Sequence, residues 1–207
     1  MAGAGAHFYR TEDGPGLPHD PFNAIVGPRP IGWISSQNAA GVQNLAPYSF
    51  FNGFNYRPPI VGFSSIGWKD SVANVDATGE FVWNLATREL ATAMNETAAT
   101  LPPEDNEFDR SGLTAVPSSL VAAPRVLESP VNFECRLTQL IRLSDTEGDA
   151  VDAWLVLGQV IAVHIDPQWL VDGVYDTTGP RPILRAGGPA GYCEIGPETA
   201  FSMKRPT

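Results

Sequence analysis

Four stretches in the first half of the chain place polar side chains where a phosphorylated, ring-bearing ligand could be held: "PRPIGWISS" (Pro28–Ser36), "NLAPYSFF" (Asn44–Phe51), "VGFSSIGWKDS" (Val61–Ser71) and "EFVWN" (Glu80–Asn84). The third carries the plainest chemistry. An apolar run ends in Ser64 and Ser65, turns at Gly67, passes Lys69 and enters a helix at Asp70 or Ser71. Hydroxyls, a lysine and the free N–H groups of a helix start together make a phosphate cradle. It is not a Walker loop, because that glycine pattern is absent. The same residues also suit an ordinary strand–turn–helix connection with a solvated lysine, and both readings stand at this stage.

In "NLAPYSFF", Asn44 and Ser49 frame a proline turn ahead of an aromatic strand. Their side chains suit the polar edge of a ring, although Asn and Ser favour turns in any case. In "PRPIGWISS", each proline fixes its own φ and presses the residue before it toward an extended backbone. Arg29 is therefore preset as extended, which lowers the entropic cost of aiming its guanidinium. The plainer alternative is a proline-marked start of an edge strand with Arg29 in solvent.

The elements that must position these residues are short. Gly contributes 20 residues and Pro 19, spread along the chain, which predicts many turns and few long helices. Strands are expected at 31–36, 48–51, 60–65 and 80–85. Two longer ones are expected at 132–143 and 153–165, joined by the polar loop "SDTEGDAVD". Three helices are expected. One follows Asp70 as N-cap, with Val72 and Val75 on one face and Gly79 past its end. A second lies in "TRELATAMNETAA", with Leu90, Met94 and Thr97 on one face and Pro102–Pro103 as its stop. A short third lies in "DPQWLVDG", with Asp166 capping and Pro167 in the first position. Residues 1–21 read as an extended lead-in. The balance is a strand-dominated domain, consistent with a closed or nearly closed antiparallel barrel.

The net charge of −10 disfavours nucleic acid and anionic membrane as partners. Lys69 and Lys204 are the only lysines among 13 basic residues, so an anion site must gather local cations against the global field. Charged residues make up only 17%, a sparse surface that suggests an oligomer. Two cysteines form no disulfide framework, no stretch reaches membrane-span length, and the N-terminus lacks a signal-peptide pattern. The expected location is the cytoplasm. No pair of histidines has metal-ligand spacing, His164 reads as a packed or surface residue, and Cys135 and Cys193 read as unreactive thiols. "GGPAG" (Gly187–Gly191) lacks the strand, helix and spaced glycines of a dinucleotide fingerprint. No "GxSxG" elbow is present.

The stretches "PRPIGWISS", "NLAPYSFFNGF", "PPIVGFSS…KDSVANVDATGEFVWNLA", "EFDRSGLTAVPS", "PRVLESPVNFECRL" and "GPRPILRAGGPAGY" follow the order found in the flavin reductase-like proteins. The chain resembles this FMN-binding split-barrel family, which includes reductase components of two-component flavin monooxygenases, from about Phe8 to Pro206. The resemblance implies one domain over residues 1–207, a mainly β six-stranded antiparallel split barrel of Greek-key character with a few peripheral helices, and a homodimer. It implies FMN as cofactor, NADH or NADPH as co-substrate, and a flavin-dependent monooxygenase as partner. Arg29, Ser64, Ser65 and Lys69 would meet the FMN phosphate and nearby ribityl oxygens. Trp33, Ile34, Ser35 and Ser36 would line the flavin. Asn44, Ala46, Pro47 and Ser49 would meet the ring's polar edge, and Arg185 and Tyr192 would close over the site. Many relatives carry a histidine in this last segment, where Tyr192 and Cys193 stand here. The activity implied is an FMN-dependent NAD(P)H:flavin oxidoreductase. The alternatives are an FMN electron carrier without efficient NAD(P)H oxidation, an oxidase or oxygenase on a similar barrel, and a split-barrel binding protein without flavin.

Overall fold

The computed structural model describes residues 5–101 and 106–206. The lead-in is mostly irregular, with a 3-10 turn at Thr11–Asp13 and one four-residue helix, α1 (Phe22–Ile25). There follow β1 (Arg29–Pro30), β2 (Gly32–Gln37), β3 (Gln43–Tyr48), β4 (Phe51–Tyr56), β5 (Pro59–Ile66), α2 (Asp70–Thr78) and β6 (Glu80–Asn84). The middle of the chain holds α3 (Ala91–Glu96), α4 (Glu107–Ser111), β7 (Ala115–Val116) and β8 (Arg125–Val126). The long hairpin β9 (Val131–Ser144) and β10 (Ala150–Ile165) comes next. The short strands β11 (Leu170–Val171), β12 (Val174–Tyr175), β13 (Ile183–Arg185) and β14 (Tyr192–Glu194) complete the order.

Seven strands form the main sheet in the order β3-β2-β6-β9-β10-β5-β4, and every pairing is antiparallel. The mainly β split-barrel class is as expected, with seven strands where six were expected. The extra strand, β4, reads "FNGFNY" and is exposed along most of its length, so it shows no apolar alternation. It is an edge strand that pairs only with β5. The expected strand over 48–51 divides: β3 ends at Tyr48, β4 begins at Phe51, and Ser49–Phe50 makes the turn.

Helix α2 forms as expected over Asp70–Thr78, ended by Gly79 in the left-handed region. Val72 and Val75 face the core together with Ser71 and Asn74. Lys69, not Asp70, stands at the N-cap, and no side chain caps the helix. Helix α3 is shorter than expected. Met94 and Thr97 are nonetheless buried on one face, and Pro102 and Pro103 lie outside the described residues. The expected helix over 166–173 is instead a single 3-10 turn capped by Asp166, followed by the β11–β12 hairpin. Val171 and Val174 favour strand there, and the turn between them reverses the chain too soon for a helix.

Phe63, Phe81 and Trp83 centre the larger apolar core, with Phe81 edge-on to Phe63 at 5.7 Å between ring centroids. Each large side chain so buried contributes about 1.5–3 kcal/mol. Cys135 is buried in this core, and desolvation there pushes its thiol far up from its usual range, so it is inert.

Glu134 is a fully buried carboxylate on β9. Its oxygens accept the backbone N–H of Ser119 at 2.7 Å and of Leu120 at 2.6 Å. They also meet His164 Nε2 at 2.5 Å. Burial alone would raise its pKa, but those N–H groups and His164 together hold it below the usual carboxylate range. His164 is thus a structural partner that helps tie the segment around Ser119 to the sheet.

Candidate functional site

Strand β2 lies between β3 and β6 in the sheet, so residues on both of its faces are enclosed. Trp33 donates its indole N–H to Thr97 Oγ1 at 3.0 Å. Ile34 belongs to the larger core. Ser35 donates to the carbonyl of Pro124 and accepts from Asn84 at 3.1 Å. Ser36 accepts from Asn74 at 3.1 Å. All four side chains are 0% exposed. The expectation that Trp33, Ile34, Ser35 and Ser36 form the wall of a ligand site is therefore corrected: they are core, because a strand paired on both edges and covered on both faces has no open surface.

Arg29 is also buried, but it is not solvent-facing and does not line the cleft described next. Its Nε donates to the carbonyl of Ser49 at 2.9 Å, and its Nη1 donates to the carbonyls of Asn23 and Val26. The guanidinium lies over the Phe50 ring at 5.3 Å. The prolines do fix its backbone, but the aim is inward. Arg29 ties the end of the lead-in to the Ser49–Phe50 turn, which β5 holds from the other side through Ser64 N–H to the Phe50 carbonyl at 2.8 Å.

Beyond that turn opens a cleft of ≈ 560 Å³, within the range of small-molecule sites. Asn44, Ala46, Pro47, Tyr48 and Ser49 supply one wall. Ser64, Lys69, Asp70 and Ser71 supply the second, and Thr97–Leu101 with Glu107 the third. Gly67 permits the sharp turn between β5 and α2 by adopting φ +82°, which brings the uncapped start of α2 against the end of the strand. Asn44 donates to Ser71 Oγ at 2.8 Å and so orients that hydroxyl. Ser65 is buried beside the cleft and donates to the carbonyl of Gly67 at 2.9 Å, which stabilises the turn. Lys69 is exposed at the rim. Of the expected residues, the structure brings Asn44, Ala46, Pro47, Ser49, Ser64 and Lys69 into one cleft, with Ser65 immediately behind it.

Several residues of this cleft lie outside the expected set, among them Glu107, Asp70 and Tyr48. Glu107 accepts the Leu45 N–H at 3.2 Å across 62 positions of sequence. Its carboxyl is pushed up by burial, with the charge of Asp70 adding to that, against the backbone N–H bonds that lower it. Asp70, expected as the helix cap, lines the cleft. Tyr48 stands with its ring in the core and its residue 7% exposed, and its buried hydroxyl lies beside Ser71 and Ser65. Its pKa is raised by burial above all, and the Asp70 and Glu107 carboxylates add to the shift. "NLAPYSFF" contained the only available signal, a tyrosine where any aromatic would fill the core.

A second groove of ≈ 810 Å³ adjoins the first, sharing Pro47, Ser49 and Ala98. Arg185, Tyr192 and Cys193 line it, with Arg88 and Met94. Arg185 pairs with Arg29 across β1 and β13 and behaves like it. Its guanidinium donates to the carbonyls of Gly191 at 3.0 Å, Pro189 at 2.8 Å and Gly188 at 3.2 Å. It also lies under the Tyr192 ring at 5.0 Å. Arg185 and Tyr192 are thus separated from Lys69 by the shared wall, and Arg185 serves to fold the 186–191 loop back toward the groove.

A family model described as flavin reductase like domain matches residues 27–183. The chain belongs to the flavin reductase-like family. An uncharacterized protein of Halalkalibacterium halodurans is 36% identical over 195 residues, covering 90% of this chain and 91% of that one. Among solved structures, nitrilotriacetate monooxygenase component B from Bacillus cereus is 30% identical with a TM-score of 0.84, covering 97% of this chain and all of that one. The 2-nitrobenzoate 2-nitroreductase of Pseudomonas fluorescens is 26% identical with a TM-score of 0.78, covering 90% and 89%. Family and fold together support a flavin-linked oxidoreductase role and a flavin ligand. Among the described residues, no helix is long and apolar enough to cross a membrane.

Proposed function

We propose that the chain is one flavin reductase-like domain that binds FMN in the cleft between β3 and the start of α2 and oxidises NADH or NADPH. The observation that carries this reading is the uncapped N-terminus of α2, presented to one cleft with Lys69, Ser64 and Ser71. Free N–H groups at a helix start favour an anionic ligand group, and hydroxyls and a lysine add charge-assisted bonds. These residues fit a phosphate.

Ser64, Lys69 and Ser71 would hold the phosphate, with Ser65 fixing the turn beneath them and Asn44 orienting Ser71. Ala46, Pro47 and Ser49 would border the ring, partly through backbone groups, because they form the wall shared with the second groove. Bound flavin supplies a two-electron acceptor for a hydride from the nicotinamide. The protein's part is to hold both ligands in register and exclude water, so no side-chain nucleophile is needed. The nicotinamide nucleotide would approach along the second groove, with Tyr192 on the loop that Arg185 folds and Arg88 on its wall.

A homodimer is supported by the edge strand of the main sheet, β4, where Phe54 and Tyr56 are exposed. The free thiols of Cys135 and Cys193 suit a reducing cytoplasm. The similarity to a monooxygenase component supports delivery of reduced flavin to a partner oxygenase. A flavin titration tests the ligand: purified protein should bind FMN, gain thermal stability and take on flavin colour. Failure to bind FMN, with no shift in melting temperature, overturns the reading.

A further inference from the structure

We propose that the rim of the first cleft carries a subsite for the adenosine half of FAD, with Trp68 as the platform for the adenine, so that the cleft takes FAD more tightly than FMN. The inference rests on the placement of the flavin phosphate at Lys69 and the start of α2, and it extends that reading to a larger ligand. The turn from β5 to α2 carries Ile66, Gly67, Trp68 and Lys69 in succession. Ile66 and Lys69 line the cleft. Ile66 is 68% exposed and Trp68 47% exposed, so an apolar surface continues outward from the phosphate cradle.

This exposed tryptophan is held in place. Ser65 donates to the Gly67 carbonyl at 2.9 Å, and the Gly67 N–H donates to the Asp152 carbonyl at 2.9 Å. Trp68 meets Trp154 of β10 edge to face, with ring centroids 4.5 Å apart. Arg142 of β9, itself exposed, lies over the Trp154 ring at 5.4 Å. Strands β10 and β9 stand successively farther from β5 in the sheet, so these contacts lead away from the cleft. FMN ends at its phosphate, whereas FAD continues through a second phosphate to a ribose and an adenine. The patch matches that continuation. A fixed aromatic face stacks a base without any hydrogen-bond pattern. Arg142 adds a cation beyond Lys69 for the second phosphate, and the Asp152 carboxylate beside Gly67 suits a ribose hydroxyl.

The test titrates FAD and FMN separately against the full chain, Trp68→Ala and Trp68→Phe, and measures the size of each protein in solution. The parent should bind FAD about ten-fold more tightly than FMN. Trp68→Ala should lower FAD affinity about ten-fold and FMN affinity less than about two-fold, and Trp68→Phe should keep FAD affinity within about three-fold of the parent. Unchanged FAD affinity in Trp68→Ala overturns the proposal. An equal loss for both flavins overturns the adenine assignment. A variant that changes oligomeric state and keeps the parent's flavin preference makes Trp68 a subunit contact, which also overturns it. If the parent binds neither flavin, the functional reading falls and this inference falls with it. If the parent binds FMN at least as tightly as FAD, the inference alone falls.

Discussion

Two strands of the main sheet carry an apolar residue followed by a pair of serines, Ile34-Ser35-Ser36 and Phe63-Ser64-Ser65. The first lies in β2, enclosed by β3 and β6, and both hydroxyls are bonded inside the protein. The second ends β5 where the chain leaves the sheet for α2. Ser65 is again bonded internally, but Ser64 opens onto the cleft. Residue type is the same in the two runs, and location in the sheet separates them. A serine in a strand paired and covered on all sides must satisfy its hydroxyl internally, whereas one at a strand end can face a ligand.

Substitutions can break this contrast. The largest effect is expected at Trp33, where Trp33→Ala should cost about 3–5 kcal/mol of stability in chemical denaturation. A cost under about 1 kcal/mol would mean that β2 is not the packed interior found here. Next, Lys69→Ala should weaken FMN binding by roughly 1.5–3 kcal/mol while leaving the denaturation midpoint unchanged. Unchanged affinity in a flavin titration would remove Lys69 from the phosphate site. The serines sharpen the comparison directly. Ser35→Ala should lose about 1–3 kcal/mol of stability, because it leaves the Pro124 carbonyl unpaired and removes an acceptor for Asn84. Ser64→Ala should instead lose about 0.5–1.5 kcal/mol of FMN affinity with little change in stability. Reversal of the two phenotypes would undo the assignment of the runs.

The smallest effect concerns Glu134, which lies away from the cleft. Its pKa is depressed in the folded protein, so its stabilising share is present above the ordinary carboxylate value of 4.5 and is lost as pH falls through the lower folded value. Melting curves below that pH should therefore show a steeper loss for the parent than for Glu134→Gln. Parallel curves would mean that the carboxylate's bonds to Ser119, Leu120 and His164 contribute no acid lability.

The parts of the molecule legible in the sequence are those specified by local signals. The β9–β10 hairpin has Val, Ile and Leu runs around a polar loop. The β5–turn–α2 unit has its serines, glycine and lysine in consecutive order, and one wall of the cleft follows from it. What was hidden depends on long-range placement. The double burial of β2 follows from its neighbours in the sheet, which its mixed composition does not reveal. Arg29 was readable as held still, but the carbonyls that hold it come from α1 and the Ser49 turn. Glu107 reaches Leu45 only through the tertiary fold. Strand β4 was missed because an exposed edge strand carries no apolar period.

The most direct test of the account is an anaerobic titration of the FMN-loaded protein with NADH and, separately, NADPH, followed by flavin absorbance. The account predicts that at least one nucleotide bleaches the flavin at about one equivalent, as transfer of one hydride requires. An FMN complex that neither nucleotide bleaches would contradict the reductase reading and leave an electron carrier in its place.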